Sequence, residues 1–173
     1  MISLAAKYSG CGNDFLVVDG RNHPFPYGDK ASIVYLCHRL QSDGILVLED
    51  SEKADYRMRL FNADGSEADM CGNGLRCLAA FANICGTIET NHYIHQTNID
   101  GNFVTTTMAP AHSIHWNQTL EGHTFHQLNT GVPHIVLFVD DIDTFPLDNI
   151  GPHLRHHDHF SPEGTNVNIV HIQ

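Results

Sequence analysis

The stretch Phe61-Asn62-Ala63-Asp64-Gly65-Ser66-Glu67-Ala68-Asp69-Met70-Cys71-Gly72-Asn73-Gly74-Leu75-Arg76-Cys77 runs from the end of an alternating strand, through a polar loop, into a helix. Asp64-Gly65 marks a turn. Beyond it Leu75, Leu78, Ala79 and Ala82 make an apolar stripe that predicts a helix over 75–85, with Gly86 as its stop. Asn73 or a neighbour is the expected N-cap, which sets Cys71 just outside the first turn. Orphan backbone N–H groups and the positive helix end meet there and favour a thiolate. Gly72 and Gly74 lack side chains, so a ligand carboxylate could approach those N–H groups closely. A thiolate beside an anion cradle can act as a nucleophile or as a base toward a carbon acid. The same position also suits a small buried hydrophobe, the commonest fate of a free cysteine. The residues around Cys71 leave both readings open.

The apolar runs 15–20 and 45–48 predict buried strands on either side of a helix over 31–40, and 56–61 predicts a third strand. Residues 93–108 read as one or two strands about the Asp100-Gly101 turn. A polar stretch, 109–128, shows little periodicity. After it the order begins again: Gly131-Val132-Pro133-His134 feeds a strand over 135–139, then a helix near 150–156 and a strand over 167–171. This matches residues 10–48 element for element, so an internal repeat is expected. The first half continues into a strand, a loop, a cysteine and a helix; residues 109–173 contain no counterpart of that continuation.

Composition narrows the classes. The 173 residues are 42% hydrophobic and 17% charged, enough for a packed core and unlike a disordered chain. Nine Lys and Arg against twenty Asp and Glu give a formal charge of -11, which argues against a nucleic-acid partner. The fourteen histidines make that acidity soft, since half-protonation near pH 6.5 would add about seven charges. No run approaches the length of a membrane span, and Lys7 and Ser9 interrupt the apolar opening 1–6, so neither a signal peptide nor a membrane partner is expected. Five cysteines, 11, 37, 71, 77 and 85, without a leader fit a reduced, cytoplasmic setting. Cys37, Cys77 and Cys85 read as core residues on helical stripes. With no Cys-x-x-Cys and no His-Glu-x-x-His, no metal site is expected, and His153 to His159 reads as a solvated loop. Gly10-x-Gly12 precedes a strand and lacks the third glycine of a dinucleotide fingerprint.

The stretch from Phe61 to Cys77 resembles the active-site signature of the diaminopimelate epimerase family. Gly12-Asn13-Asp14-Phe15 resembles that family's opening motif, Gly131-Val132-Pro133-His134 its second-domain entry, and Gly164-Thr165-Asn166-Val167-Asn168 its later strand. The resemblance implies an α+β fold of two pseudo-symmetric domains, each with strands wrapped around a central helix. Residues 1–113 would form the N-terminal domain and 114–173 the front, incomplete part of the C-terminal one. It implies cofactor-independent epimerisation at one α-carbon of diaminopimelate, in lysine and peptidoglycan-precursor synthesis, by a homodimer when complete. In the family two cysteines, one per domain, face each other across the substrate; one removes the α-proton and the other delivers a proton to the opposite face. By that correspondence Cys71 is the first-domain catalytic cysteine. Asn13 and Asn62 would bind substrate, Gly72 and Asn73 would supply backbone donors, Asn166 would bind from the second domain, and His134 would tune the site. Val132 stands where the family has a substrate-contacting Asn, which implies looser selectivity. No cysteine follows Cys85, so the segment carrying the second thiol is not among these residues. The 173-residue chain alone is therefore expected to be inactive unless that segment or a second chain completes it. A non-catalytic binding module, or an isomerase of the same fold with a carboxylate base, are the alternatives.

Overall fold

In the computed structural model, residues 5–21 and 25–172 are described; residues 1–4 of the apolar opening lie outside them. The chain divides into two compact units, Met1–Met108 and Ala109–Gln173.

Unit 1 contains β1 (Ala5–Gly10), β2 (Asn13–Asp19), α1 (Lys30–Leu40), β3 (Gly44–Glu49), β4 (Tyr56–Asn62), β5 (Glu67–Ala68), α2 (Gly72–Ala82), β6 (Gly86–Glu89), β7 (Ile94–Asp100) and β8 (Phe103–Thr106). The strands form one sheet in the order β1-β2-β3-β4-β6-β7-β8, with the short β5 on β4. β1, unmarked by any apolar run, is a half-exposed alternating strand closed onto β2 by Cys11-Gly12, whose positive φ values of 51° and 88° suit a tight hairpin. β2 and β3 pair in parallel across α1, as a strand–helix–strand unit requires.

The pleat of β2, β3 and β4 sorts their apolar residues onto two faces. Leu16, Val18, Ile45, Val47 and Phe61 pack under α1 with Ile33 and Cys37. Phe15, Val17, Leu46, Leu48, Met58 and Leu60 pack under α2 with Leu75, Leu78 and Ala79. Because α2 touches β1, β2, β3 and β4 and also β7 and β8, the sheet curls round this helix. α2 stops at Ala82, earlier than its apolar stripe predicts. Asn83 takes the left-handed conformation (φ 53°) and its N–H meets the Ala79 and Ala80 carbonyls, a C-cap that Asn tolerates well. Cys85 is consequently outside the helix and exposed, with Sγ accepting from Ile99 N–H at 3.3 Å, which corrects its reading as a core residue.

Unit 2 contains β9 (His112–Leu120), β10 (His123–Asn129), β11 (Pro133–Phe138), α3 (Leu147–Arg155), a 3-10 turn (Asp158–Phe160) and β12 (Asn166–Val170). Its sheet has the order β12-β11-β10-β9. The aperiodic stretch 109–128 is therefore mostly a hairpin, turning at Glu121-Gly122 with positive φ at both residues. Almost all of β9 is exposed, and two register shifts interrupt its pairing with β10, so no inside–outside alternation was available to mark it. His153 lies in α3 rather than in a loop, and it and His157 approach the Glu121 carboxylate at 2.5 and 3.5 Å.

The internal repeat is visible in the pairing. β11 and β12 are parallel across α3, as β2 and β3 are across α1. Ile135, Leu137, Val167 and Ile169 face Leu154 and Phe160, the counterpart of the α1 side of unit 1. The other face of β11 and β12 carries His134, Val136 and Phe138 beside Asn166, Asn168 and Val170. In register this is the face that α2 covers in unit 1, and Val132 falls where Asn13 stands.

Candidate active site

The first turn of α2 gathers the chemistry of unit 1. Cys71 itself is the N-cap, with extended backbone (φ -148°, ψ 114°), and its Sγ accepts from Gly74 N–H at 3.5 Å. The cap is thus two residues earlier than Asn73, and Asn73 is the second helical residue. The difference brings the sulfur to the Gly74 N–H, an orphan donor of the first turn, where a Ser or Asp oxygen would sit in an ordinary cap. No acidic residue occupies that turn. Cys71 is half-buried, so the thiol is neither sealed in the core nor fully in water. Burial pushes the thiols of Cys37 and Cys77 up, which keeps them protonated and consistent with core roles.

Two close approaches fix this turn against the sheet. A side chain on Gly10 would come within 2.8 Å of Cys77 Sγ and 3.1 Å of the Asn73 carbonyl, so the β1–β2 hairpin rests on α2 only because Gly10 has none. Asn13, the first residue of β2, is thereby brought to the helix, and its Oδ1 accepts from Asn73 Nδ2 at 2.7 Å. Asp43, just before β3, accepts from Asp14 N–H at 2.8 Å and, at 3.4 Å, from Asn13 Nδ2. Asn62 ends β4 opposite Gly44, on the same face and the same end of the sheet. It is exposed, and its Nδ2 donates to Ser66 Oγ at 3.0 Å. Asn13, Cys71, Gly72 and Asn73 are therefore brought together, and Asn62 lies at the same sheet end in a separate turn network.

Two polar residues were missed from the sequence. Arg76 donates through Nη2 to Asn73 Oδ1 at 2.5 Å and to Cys11 Sγ at 3.5 Å. Asp43 is the other. Arg76 follows Asn73 by three residues, a spacing that sets both on one helical face, and that signal was present.

In unit 2, His134 and Asn166 are register partners on the parallel pair β11–β12. Asn168 donates through Nδ2 to the Ile135 carbonyl at 3.0 Å and contacts His134 Nδ1 at 3.1 Å. A donor there makes Nδ1 an acceptor and leaves the neutral ring's proton on Nε2. Asn166 Oδ1 accepts from Arg155 Nη1 at 2.6 Å. Burial holds the His134 imidazole below its ordinary range. The unfolded chain then binds the proton more readily than the folded one, so stability is complete above about pH 6.5 and falls as pH drops from there toward the folded value. We expect unit 2 to unfold more easily as the solution is acidified through that window, with His134→Gln flattening the trend. Denaturant midpoints measured by circular dichroism across pH check this; an unchanged slope in the variant would contradict it.

Among the described residues, no group of three or more His, Cys, Asp or Glu could hold a metal ion, and no helix is long and apolar enough to cross a membrane.

A sheet curled round a helix that opens on Cys-Gly-Asn-Gly, with asparagines at its mouth, defines an α+β protein of the epimerase-fold type. The chain belongs to the diaminopimelate epimerase family, whose model matches residues 5–116. It is 34% identical to the diaminopimelate epimerase of Flavobacterium psychrophilum over 95% of this chain and 66% of that protein. Against the diaminopimelate epimerase of Chlamydia muridarum it is 39% identical over 94% of this chain and 63% of that one. The chain thus spans about two thirds of the length of the curated relatives it matches. Among solved structures, a phenazine biosynthesis protein of the PhzF family from Bacillus anthracis superposes with a TM-score of 0.59 at 18% identity, covering 80% of this chain and 56% of that chain. A hydroxyproline epimerase from Agrobacterium vitis gives 0.52 at 15%, covering 78% and 51%. These two likenesses speak to the fold.

Proposed function

We propose that this chain carries one proton-transfer half of a cofactor-independent epimerisation at an amino-acid α-carbon, with diaminopimelate as substrate. Cys71 is the base, Asn13 and Asn62 hold the zwitterion, and Gly72 and Asn73 supply backbone donors; Asn166 and His134, in unit 2, keep the binding and tuning roles that the family resemblance implies. The observation that carries this reading is the seat of Cys71. Its sulfur caps a helix N-terminus, half-buried, and the Asn73 carboxamide of the same turn is bonded to Asn13. An α-proton is weakly acidic, so its removal needs a desolvated base and fixed donors where carboxylate charge grows. The α2 N-terminus offers both.

Inversion also needs an acid on the opposite face of the carbon. The four other thiols do not answer that need: Cys37 and Cys77 are buried, Cys85 follows α2, and Cys11 sits on the same hairpin as Asn13. We expect the purified 173-residue polypeptide to leave LL-diaminopimelate uninverted. Mixed with a polypeptide supplying the family's second cysteine, it should form the meso isomer, measured by chiral chromatography; assembly of the completed protein as a homodimer is part of this reading. Inversion by the 173 residues alone would overturn it. A non-catalytic module that keeps the amino-acid cradle is the second reading, favoured by Val132 standing where Asn13 stands in unit 1. Diaminopimelate binding without inversion in the mixture would support that reading instead.

A further inference from the structure

The asparagines at the mouth of α2 are not independent. Arg76 Nη2 donates to Asn73 Oδ1 at 2.5 Å, Asn73 Nδ2 donates to Asn13 Oδ1 at 2.7 Å, and Asn13 Nδ2 meets Asp43 Oδ2 at 3.4 Å. Guanidinium has donors only and a carboxylate has acceptors only. A cation at one end and an anion at the other therefore leave one consistent direction for every amide between them. Turning either carboxamide over would set N–H against guanidinium N–H, or carbonyl against carbonyl or carboxylate. The two ends are themselves anchored. Asp43 exchanges backbone and side-chain bonds with Asp14 at 2.7 and 2.8 Å, and Arg76 is built into α2.

We infer that Arg76 and Asp43 are positioning residues that hold Asn73 and Asn13 in a single amide orientation at the helix end that Cys71 caps. Each Asn NH2 has two hydrogens and spends one within the chain, so each keeps one donor for a ligand. What the chain offers a ligand at these two residues is accordingly biased toward N–H, the half of an amide that suits a carboxylate. Neither residue needs to touch the reacting carbon. This inference rests on the proposed function only for the identity of the ligand.

The test uses the 173-residue polypeptide labelled with 15N-asparagine. In the unaltered protein the Asn13 and Asn73 side chains should give resolved, slowly exchanging NH2 pairs. Arg76→Met should accelerate their hydrogen exchange at least about tenfold, the equivalent of one charge-assisted hydrogen bond, while Arg76→Lys recovers part of the protection. Asp43→Asn provides the second arm: it keeps an acceptor for Asp14 N–H but lets the terminal amide turn, and should loosen Asn13 more than Asn73. Backbone spectra of each variant report folding separately. NH2 signals unchanged in both Arg76→Met and Asp43→Asn would overturn the inference. Added diaminopimelate should shift these same signals in the unaltered protein. Absence of that shift counts against the proposed function, and leaves the orientation result standing on its own.

Discussion

Cys71→Ala should reduce inversion of diaminopimelate in the completed two-thiol mixture by about 10²–10⁴-fold, the span a positioned general base contributes. Alanine leaves the α2 backbone free to form, and the lost Sγ contact to Gly74 N–H is a long, weak one at 3.5 Å. The fold should therefore survive with the chemistry removed. Cys71→Ser separates capping from catalysis. Serine is a good N-cap, so the helix should be as stable or more so, yet its hydroxyl is far less acidic than a thiol and should not restore the rate. Thermal unfolding and the chromatographic rate, measured on the same preparations, check both halves. A Cys71→Ser protein with the full rate would point to a carboxylate base in its place.

Leu46→Ala should be the most damaging simple truncation in unit 1, costing about 2–5 kcal/mol as buried Leu→Ala changes do. Leu46 is fully buried in the middle of β3, under α2 and flanked by Val17 and Leu60 on neighbouring strands. Its Cδ2 lies 2.9 Å from where a side chain on Gly74 would begin, so this leucine fills the space that the glycine leaves open. The curled sheet cannot close over the cavity without moving the helix that carries Cys71. A melting temperature lower by roughly 4–8 °C per kcal/mol is expected for a unit of this size, read by thermal unfolding. An unchanged melting temperature would contradict that.

The buried strands β2, β3 and β4 and the helices α1 and α2 were legible because each carries an apolar run or stripe that one element alone could satisfy. The position of Cys71 at the mouth of α2 was legible from two glycines and an asparagine in sequence with it. What escaped were elements stabilised by pairing rather than by burial. β9 is a nearly all-exposed strand, and its turn is Glu121-Gly122, whose first residue gives no strong turn signal. The cap position escaped because cysteine is not a usual N-cap and Asn73 is, although here the asparagine is committed to Asn13 and Arg76. Likewise the end of α2 went to Asn83 rather than to Gly86, since Asn accepts the left-handed conformation three residues sooner. The Arg76–Asp43 chain joins residues far apart in sequence, and only the packing of the β1–β2 hairpin on α2 brings them into line.

Exchange of the diaminopimelate α-proton by Cys71 is measured directly as deuterium incorporation at that carbon in D2O, read by mass spectrometry of the recovered amino acid, for the completed protein with and without Cys71→Ala. Deuterium should appear in the inverted product of the unaltered protein, and incorporation should be lost in the variant. Incorporation at an undiminished rate with alanine at position 71 would contradict it.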